Sequence, residues 1–125
     1  MSALPTQPIE PFFRPGNEHG YEGPGEVVGS DEATTFVVGD DGSVWSIDPA
    51  DELPRRFVNS SVSQFVVFLD LVSGERKKLA GMDDAEAESL VHKLGRRLAN
   101  GDPSAFADPD GYWPVVVEQM RDGLL

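Results

Sequence analysis

Acidic side chains are the residues of this sequence whose type and spacing most readily suggest chemistry. Five of them fall within residues 40–52: Asp40, Asp41, Asp48, Asp51 and Glu52. Paired carboxylates can serve as acid and base in a hydrolase, and a dense group of carboxylates can attract a basic partner. Binding groups concentrate on loops that a rigid scaffold holds outward. We therefore predict that these five acids lie on exposed connections and form a partner-binding surface.

Signatures of other chemistry are missing. The sequence has no cysteine and no phosphate-binding, zincin or nucleophile-elbow motif. His19 lies in a Gly/Pro-rich segment and His92 lies one step off an apolar helix face, so both are expected to be solvated or half-buried. The Asp-Gly steps at Gly42 and Gly111 lack the oxygen ligands of a calcium loop at the required spacing. The sequence predicts no catalytic residue, no cofactor and no metal, with a small acidic hydrolase as an alternative.

The overall charge indicates what kind of partner fits. The 125 residues carry 22 acids and 10 bases, for a net charge of -12. Residues 1–50 contribute nine acids against Arg14 alone, a net of -8. This excess repels nucleic acid and anionic membranes and favours a basic protein. We expect no membrane contact and a cytoplasmic location, because no signal-peptide pattern is visible and the longest apolar run, residues 65–69, is too short to cross a bilayer.

Short β-branched runs dominate the first half of the chain, after a Pro/Gly-rich arm over residues 1–25. Strands are predicted in the runs EVVGS, TTFVVGD, SVWSID and RRFVN, with a tight hairpin turn at Asp40-Asp41-Gly42. Phe36 and Val38 should share one sheet face, with Val44 and Trp45 packing nearby. Both tryptophans, Trp45 and Trp113, are expected in the core.

Helical patterns fill the second half. Capping boxes at Ser61/Gln64 and Asp83/Glu86 begin two helices, which should end near Ser73-Gly74 and Asn100-Gly101. A turn follows over residues 102–106, with Asp102 as its predicted N-cap and Pro103 at its first position. A last helix over residues 113–122 places Leu124 on its apolar side. Strands followed by helices indicate one α+β domain over residues 1–125, an antiparallel or mixed sheet with helices packed on one face.

Four segments carry a resemblance to a known family. They are LPTQPIEPFF at residues 4–13, GSVWSID at 42–48, RFVNSSVSQFVVFL at 56–69 and DPSAFADPDGYWPVVVEQMRDGLL at 102–125. In this order and spacing they resemble the fourth subfamily of the SUKH superfamily of immunity proteins, which is related to the Smi/Knr cell-wall regulator domain. The resemblance extends over nearly the whole chain.

This resemblance implies a function as well as an α+β fold. Members bind and neutralise a cognate toxin of a bacterial polymorphic toxin system, often a nuclease or a nucleic-acid deaminase. The superfamily also contains cell-wall regulators that act as hub proteins, so an intracellular protein-binding scaffold is the alternative within the same class. The sequence leaves self-association open.

Overall fold

Four strands precede three α-helices in the part of the chain that the computed structural model describes, residues 4–50 and 52–125. The predicted α+β order is confirmed. The elements are β1 Glu26–Ser30, β2 Thr35–Val38, β3 Val44–Ile47, β4 Arg56–Asn59, α1 Val62–Lys78, α2 Asp84–Gly101, a 3-10 turn Pro103–Phe106, and α3 Tyr112–Arg121.

The strands form an antiparallel meander in the order β1-β2-β3-β4. Phe36 and Val38 are fully and partly buried on the inner face, where Val38 stands opposite Val44. Successive side chains point to opposite faces of a sheet, so Val37 and its partner Trp45 lie on the outer face. The predicted Phe36, Val38 and Val44 face is confirmed, whereas Trp45 belongs to the other face.

Helix α1 begins where the sequence predicted and ends later. The Ser61 side chain accepts a hydrogen bond from the backbone N–H of Gln64 at 3.2 Å. The prediction of an end near Ser73-Gly74 is wrong, because the helix continues through Gly74 to Lys78. A glycine inside a helix costs only about 1 kcal/mol, and three basic residues in the last turn interact favourably with the helix dipole.

Helices α2 and α3 match their predictions closely. Asp83 and Glu86 form the reciprocal capping box at the start of α2, and its inner side buries Val91, Leu94 and Leu98. Helix α3 begins one residue earlier than predicted and ends one residue earlier. Leu124, placed on the apolar side by its spacing, is instead 72% exposed, because the helix has already ended.

The N-terminal arm contributes to the core, which its composition did not predict. Phe12 and Phe13 are buried to 2% and 1% exposure. Arg14 and Ser30 exchange two backbone hydrogen bonds, of 2.7 and 2.9 Å, which tie the arm to the end of β1. The Phe13 ring lies 5.9 Å from the Phe65 ring, centroid to centroid. The two phenylalanines of the arm therefore pack between the sheet and the helices.

A buried polar network joins the sheet to all three helices. The Asp102 carboxylate accepts hydrogen bonds from Asn59 Nδ2 at 3.0 Å, from Ser60 N at 2.8 Å and from Ser60 Oγ at 2.7 Å. Asn59 Oδ1 in turn accepts one from the Trp113 indole at 2.8 Å. Asp102 was predicted to cap the turn beginning at Pro103, and it does occupy that position, but its side chain makes no cap hydrogen bond there.

Truncating Phe65 should be strongly destabilising. Its side chain is fully buried and lies 4.9 Å from the Phe36 ring, so Phe65→Ala should lower the free energy of unfolding by about 3–5 kcal/mol. Val67→Ala on the same helix is the control, because Val67 is 47% exposed and should cost less than about 1 kcal/mol. Urea unfolding measures both, and equal midpoints would contradict the assignment of this core face.

Removing the Asp102 carboxylate should destabilise the fold for a different reason. Asp102→Ala leaves the buried amide of Asn59 and the half-buried donors of Ser60 without this acceptor, which we expect to cost about 3 kcal/mol. Asp70→Ala is the matched control, because Asp70 is an exposed carboxylate on α1. Thermal unfolding of the two variants should differ clearly, and an Asp102→Ala variant as stable as Asp70→Ala would show that the network adds nothing.

Candidate functional site

The acids singled out in the sequence occupy two ends of strand β3. Asp40 and Asp41 lie in the turn before β3, and Asp48 and Glu52 lie in the connection after it. Asp51 lies outside the described residues. At about 3.3 Å per residue, the four residues of β3 alone place the two pairs at least roughly 13 Å apart along the strand. The structure brings each pair together and holds the pairs apart.

The turn before β3 is a hairpin that Asp41 stabilises. Its Oδ1 accepts hydrogen bonds from Ser43 N at 3.0 Å and from Ser43 Oγ at 2.5 Å. Gly42 has a φ of 85°, in the left-handed region that this turn requires, and its N–H bonds to the Gly39 carbonyl. The predicted hairpin is confirmed. Hydrogen bonds from the Ser43 side chain and backbone lower the pKa of the Asp41 carboxyl below its ordinary value.

The same hydrogen-bond chain orients Trp45. The indole Nε1 of Trp45 donates to Ser43 Oγ at 2.9 Å, and that hydroxyl donates to Asp41. The Trp45 ring is perpendicular to the ring of Phe57, its partner on β4, with centroids 5.3 Å apart. Trp113 is fully buried as expected, whereas Trp45 is half-buried on the outer face of the sheet. We call the chain of side chains Asp41, Ser43 and Trp45 the turn lock.

A groove runs along the outer face beside Trp45. It has a volume of about 300 Å³, and its walls include Pro24, Val37, Asp40 and Trp45. The backbone at Gly25 lies directly on Val37, since a Cβ atom built there would stand 2.4 Å from Val37 Cγ1. The end of the arm therefore forms one side of the groove, and the turn with its acids forms one end. We call this the outer-face groove.

The second pair of acids faces a different cavity. Asp48 lines a space of about 520 Å³ together with Asp108 and Asp110, which precede α3, and with Arg56. Sixty residues separate Asp48 from Asp108, and no local pattern signals that they meet. Asp48 also accepts a hydrogen bond from the backbone N–H of Glu52 at 3.0 Å, so it orders its own connection.

Tyr112, at the start of α3, packs against that same end of the sheet. Its hydroxyl donates to Asp31 Oδ2 at 3.1 Å, and the Arg56 guanidinium lies 5.3 Å from its ring centroid. Burial, followed by the negative charge of Asp31, raises the pKa of the Tyr112 hydroxyl well above its ordinary value. Asp31 also accepts bonds from the backbone of Ala33 and Thr34, so it is a structural acid.

Neither a metal-ligand cluster nor a membrane-spanning helix is present among the described residues. Within residues 4–50 and 52–125, no group of three or more His, Asp or Glu side chains is arranged to hold a metal ion. His19 is half-buried against the Asp31 carbonyl at 2.9 Å, and His92 is exposed on α2. Among the same residues no helix is both long and apolar enough to cross a membrane.

Comparison with known proteins places the chain in a family. A family model described as SUKH-4 immunity protein matches residues 18–119, which is most of the sequence. The chain belongs to the SUKH-4 immunity protein family. Membership supports an immunity function and implies a toxin as the partner. Comparisons with the curated proteins and with the solved structures gave no match.

The SUKH-4 match includes every surface described above. Residues 18–119 contain the turn lock, the outer-face groove and the cavity around Asp48. They exclude Phe12 and Phe13, although both are buried in the same core. The family assignment therefore applies to the candidate surfaces themselves and not only to the scaffold.

Protonation of Asp41 at low pH should weaken the hydrogen bonds of the turn lock. The pKa of folded Asp41 lies below the ordinary value of 3.8, so its carboxylate favours the folded turn above that pH, and this contribution is lost as the pH falls through the lowered pKa. We expect the emission of Trp45, taken as the difference between the parent and Trp45→Phe, to change with a midpoint below pH 3.8. Circular dichroism shows whether the chain is still folded there.

Ser43→Ala is the control for this titration. The variant loses the hydroxyl that links Asp41 to the indole, so the midpoint should rise towards the ordinary value and the amplitude should shrink. The same midpoint and amplitude in both proteins would contradict the turn lock.

Proposed function

We propose that this SUKH-4 chain binds and neutralises a toxin of a bacterial polymorphic toxin system in the cytoplasm, as a stoichiometric inhibitor and not as an enzyme. The toxin is a basic domain that acts on nucleic acid, a nuclease or a deaminase. The contacts include acids of residues 40–52, namely Asp40, Asp41, Asp48, Asp51 and Glu52. Family membership carries the immunity function, and the charge distribution supports the rest.

The negative charge is concentrated in the half that carries the sheet. Residues 1–61 hold eleven acids and three bases, a net of -8, whereas residues 62–125 hold eleven acids and seven bases, a net of -4. A surface of one sign raises the association rate with an oppositely charged protein by orders of magnitude at low salt. A basic partner therefore meets the sheet half first.

Arg14 and Arg56 in that half both have partners within the chain. Arg14 lies between Glu10 and Glu18, with N···O distances of 2.9 and 3.1 Å, and offsets their charge. Arg56 lies over the Tyr112 ring. The carboxylates of Asp40 and Glu52 are exposed, so they are the acids of this segment best placed to act on a partner.

Inhibition then follows from competition for the same basic surface. An enzyme that acts on nucleic acid binds phosphates through lysine and arginine side chains. A carboxylate surface can pair with those cations through charge-assisted hydrogen bonds and exclude the substrate. This mechanism needs a fixed acidic surface and no catalytic group on the inhibitor.

The experiment is an activity titration against the toxin domain encoded in the reading frame beside this chain. Nuclease or deaminase activity should fall linearly as the chain is added and should reach its floor at a fixed molar ratio. If toxin activity kept falling with time while this chain was present in less than the stoichiometric amount, the chain would be turning over, which would support the hydrolase alternative. No inhibition at any ratio would contradict the immunity proposal for this pair.

Reversing exposed acids should weaken neutralisation without unfolding the chain. The double variant D40K/E52K leaves Asp41, Asp48 and the turn lock intact, and exposed charges contribute well under about 1 kcal/mol each to stability. We expect neutralisation at least tenfold weaker, or about 1.4 kcal/mol, with a nearly unchanged melting temperature. The parent's association rate should also fall steeply with salt.

The matched control places the same charge change elsewhere. In D70K/E118K two exposed helical acids are reversed, so the net charge changes equally. The control should keep most of the parent's potency. Equal loss in both double variants would mean that net charge alone matters, and no loss in either would remove the electrostatic part of the proposal.

A further inference from the structure

The outer face of the sheet carries an apolar stripe that none of the helices within residues 4–50 and 52–125 covers. Trp45 and Phe57 form a perpendicular pair at its centre, both half-buried, and Val37 and Ile47 lie below them with 3% and 1% exposure. The helices contact the inner side instead, through residues such as Phe36 and Phe65. A paired aromatic centre with a charged edge is the composition typical of a protein interface.

Charge around this stripe selects the partner. Asp40 lines the outer-face groove beside Trp45, and Asp41 holds the Trp45 indole through Ser43. Glu26 stands at the same end of the sheet, opposite Val38 in the register. Arg55, at the other end of the groove, is the basic residue in its lining. The edge nearest the tryptophan is therefore negative.

We propose that the outer-face groove is the docking site for the basic partner, which inserts an apolar side chain beside Trp45 and places a lysine or arginine against Asp40. This inference rests on the proposed function and names the surface that performs it. The volume of about 300 Å³ is at the lower limit of small-molecule pockets, and one or two side chains of a partner fill such a space.

A second copy of this chain does not fit the same place. Two copies with a net charge of -12 each repel one another, and like charges brought together across an interface cost several kcal/mol. A basic segment with an apolar side chain complements both the apolar surface beside Trp45 and the acidic edge at Asp40. The partner is therefore a protein of opposite charge.

The two acids of the turn have different roles. Asp40 is exposed and lines the groove, so it contacts the partner's cation. Asp41 acts through Ser43 to hold the indole in place, which makes it a positioning residue. A pre-oriented aromatic loses less rotamer freedom on binding, so loosening Trp45 should weaken the complex even though no partner contact is removed.

The test measures toxin affinity of single variants by titration calorimetry, with the toxin domain encoded beside this chain in a catalytically inactive form. Trp45→Ala should weaken binding at least thirtyfold, as expected of an aromatic hot spot. Asp40→Lys should weaken it at least tenfold, mainly through a slower association rate. Asp41→Asn keeps an oxygen that can accept from Ser43 and should bind better than Asp41→Ala.

The controls lie on the helices. Asp70→Lys and Glu118→Lys reverse exposed acids there and should bind within threefold of the parent. Asp110→Lys, at the cavity around Asp48, probes the opposite end of the sheet. If the parent binds and Asp110→Lys loses affinity while Trp45→Ala and Asp40→Lys do not, the docking site is overturned and the proposed function stands. Asp40→Lys keeps this conclusion secure should Trp45→Ala fold poorly.

A second arm needs no toxin. An NMR titration of the parent with a hexapeptide of alternating lysine and phenylalanine should shift the amides of Val37, Trp45 and Phe57, and a hexapeptide of alternating glutamate and phenylalanine should not. If the parent fails to bind the toxin yet shows these shifts, the proposed toxin pairing is wrong and the surface assignment stands. Shifts spread evenly over the chain, or none, would overturn the docking site.

Discussion

The buried carboxylate of Asp102 is the contact on which the arrangement of sheet and helices depends. It follows α2 directly, and it accepts three hydrogen bonds from Asn59 and Ser60, at the point where β4 ends and α1 begins. Asn59 then accepts from Trp113 on α3. A buried charge is tolerated only where donors replace water, so these elements must meet in one geometry.

This constraint decides which surfaces are free for function. The network and the aromatic cluster of Phe13, Phe36 and Phe65 hold the helices and the arm against the inner side of the sheet. On the outer face the aromatic pair of Trp45 and Phe57 is half-buried and remains partly accessible. A rigid inner side and a partly exposed outer side explain why a chain with no catalytic signature can still present a defined surface.

Local signals in the sequence predicted the elements well, since they depend on residues a few positions apart. The capping box of Asp83 and Glu86 and the turn glycine, Gly42, are of this kind. The outward orientation of Trp45 could also have been predicted, because Trp45 follows the inward-facing Val44 in the strand and successive side chains alternate between faces. The end of α1 was missed, since an exposed glycine is a weak stop.

Contacts between residues far apart in the sequence were not predicted, because no periodic pattern indicates them. Phe12 and Phe13 follow prolines in an irregular arm, so nothing nearby indicates that they are buried. Asp102 looked like a cap of the turn beginning at Pro103, and only the folded chain shows that Asn59 and Ser60 take its carboxylate instead. The meeting of Asp48 with Asp108 has the same origin. The candidate site could be predicted as a set of acids but not as a geometry.

The geometry changes how these acids act on a partner. The pairs at the two ends of β3 are at least roughly 13 Å apart, which exceeds the screening length of about 8 Å at physiological salt. In the proposed complex each pair therefore acts as a separate contact, and only the summed charge of the sheet half acts at longer range. Charge of this kind governs how fast a basic partner arrives. How long it stays depends on desolvated apolar contact, and of the two ends only that of Asp40 and Asp41 adjoins an oriented tryptophan.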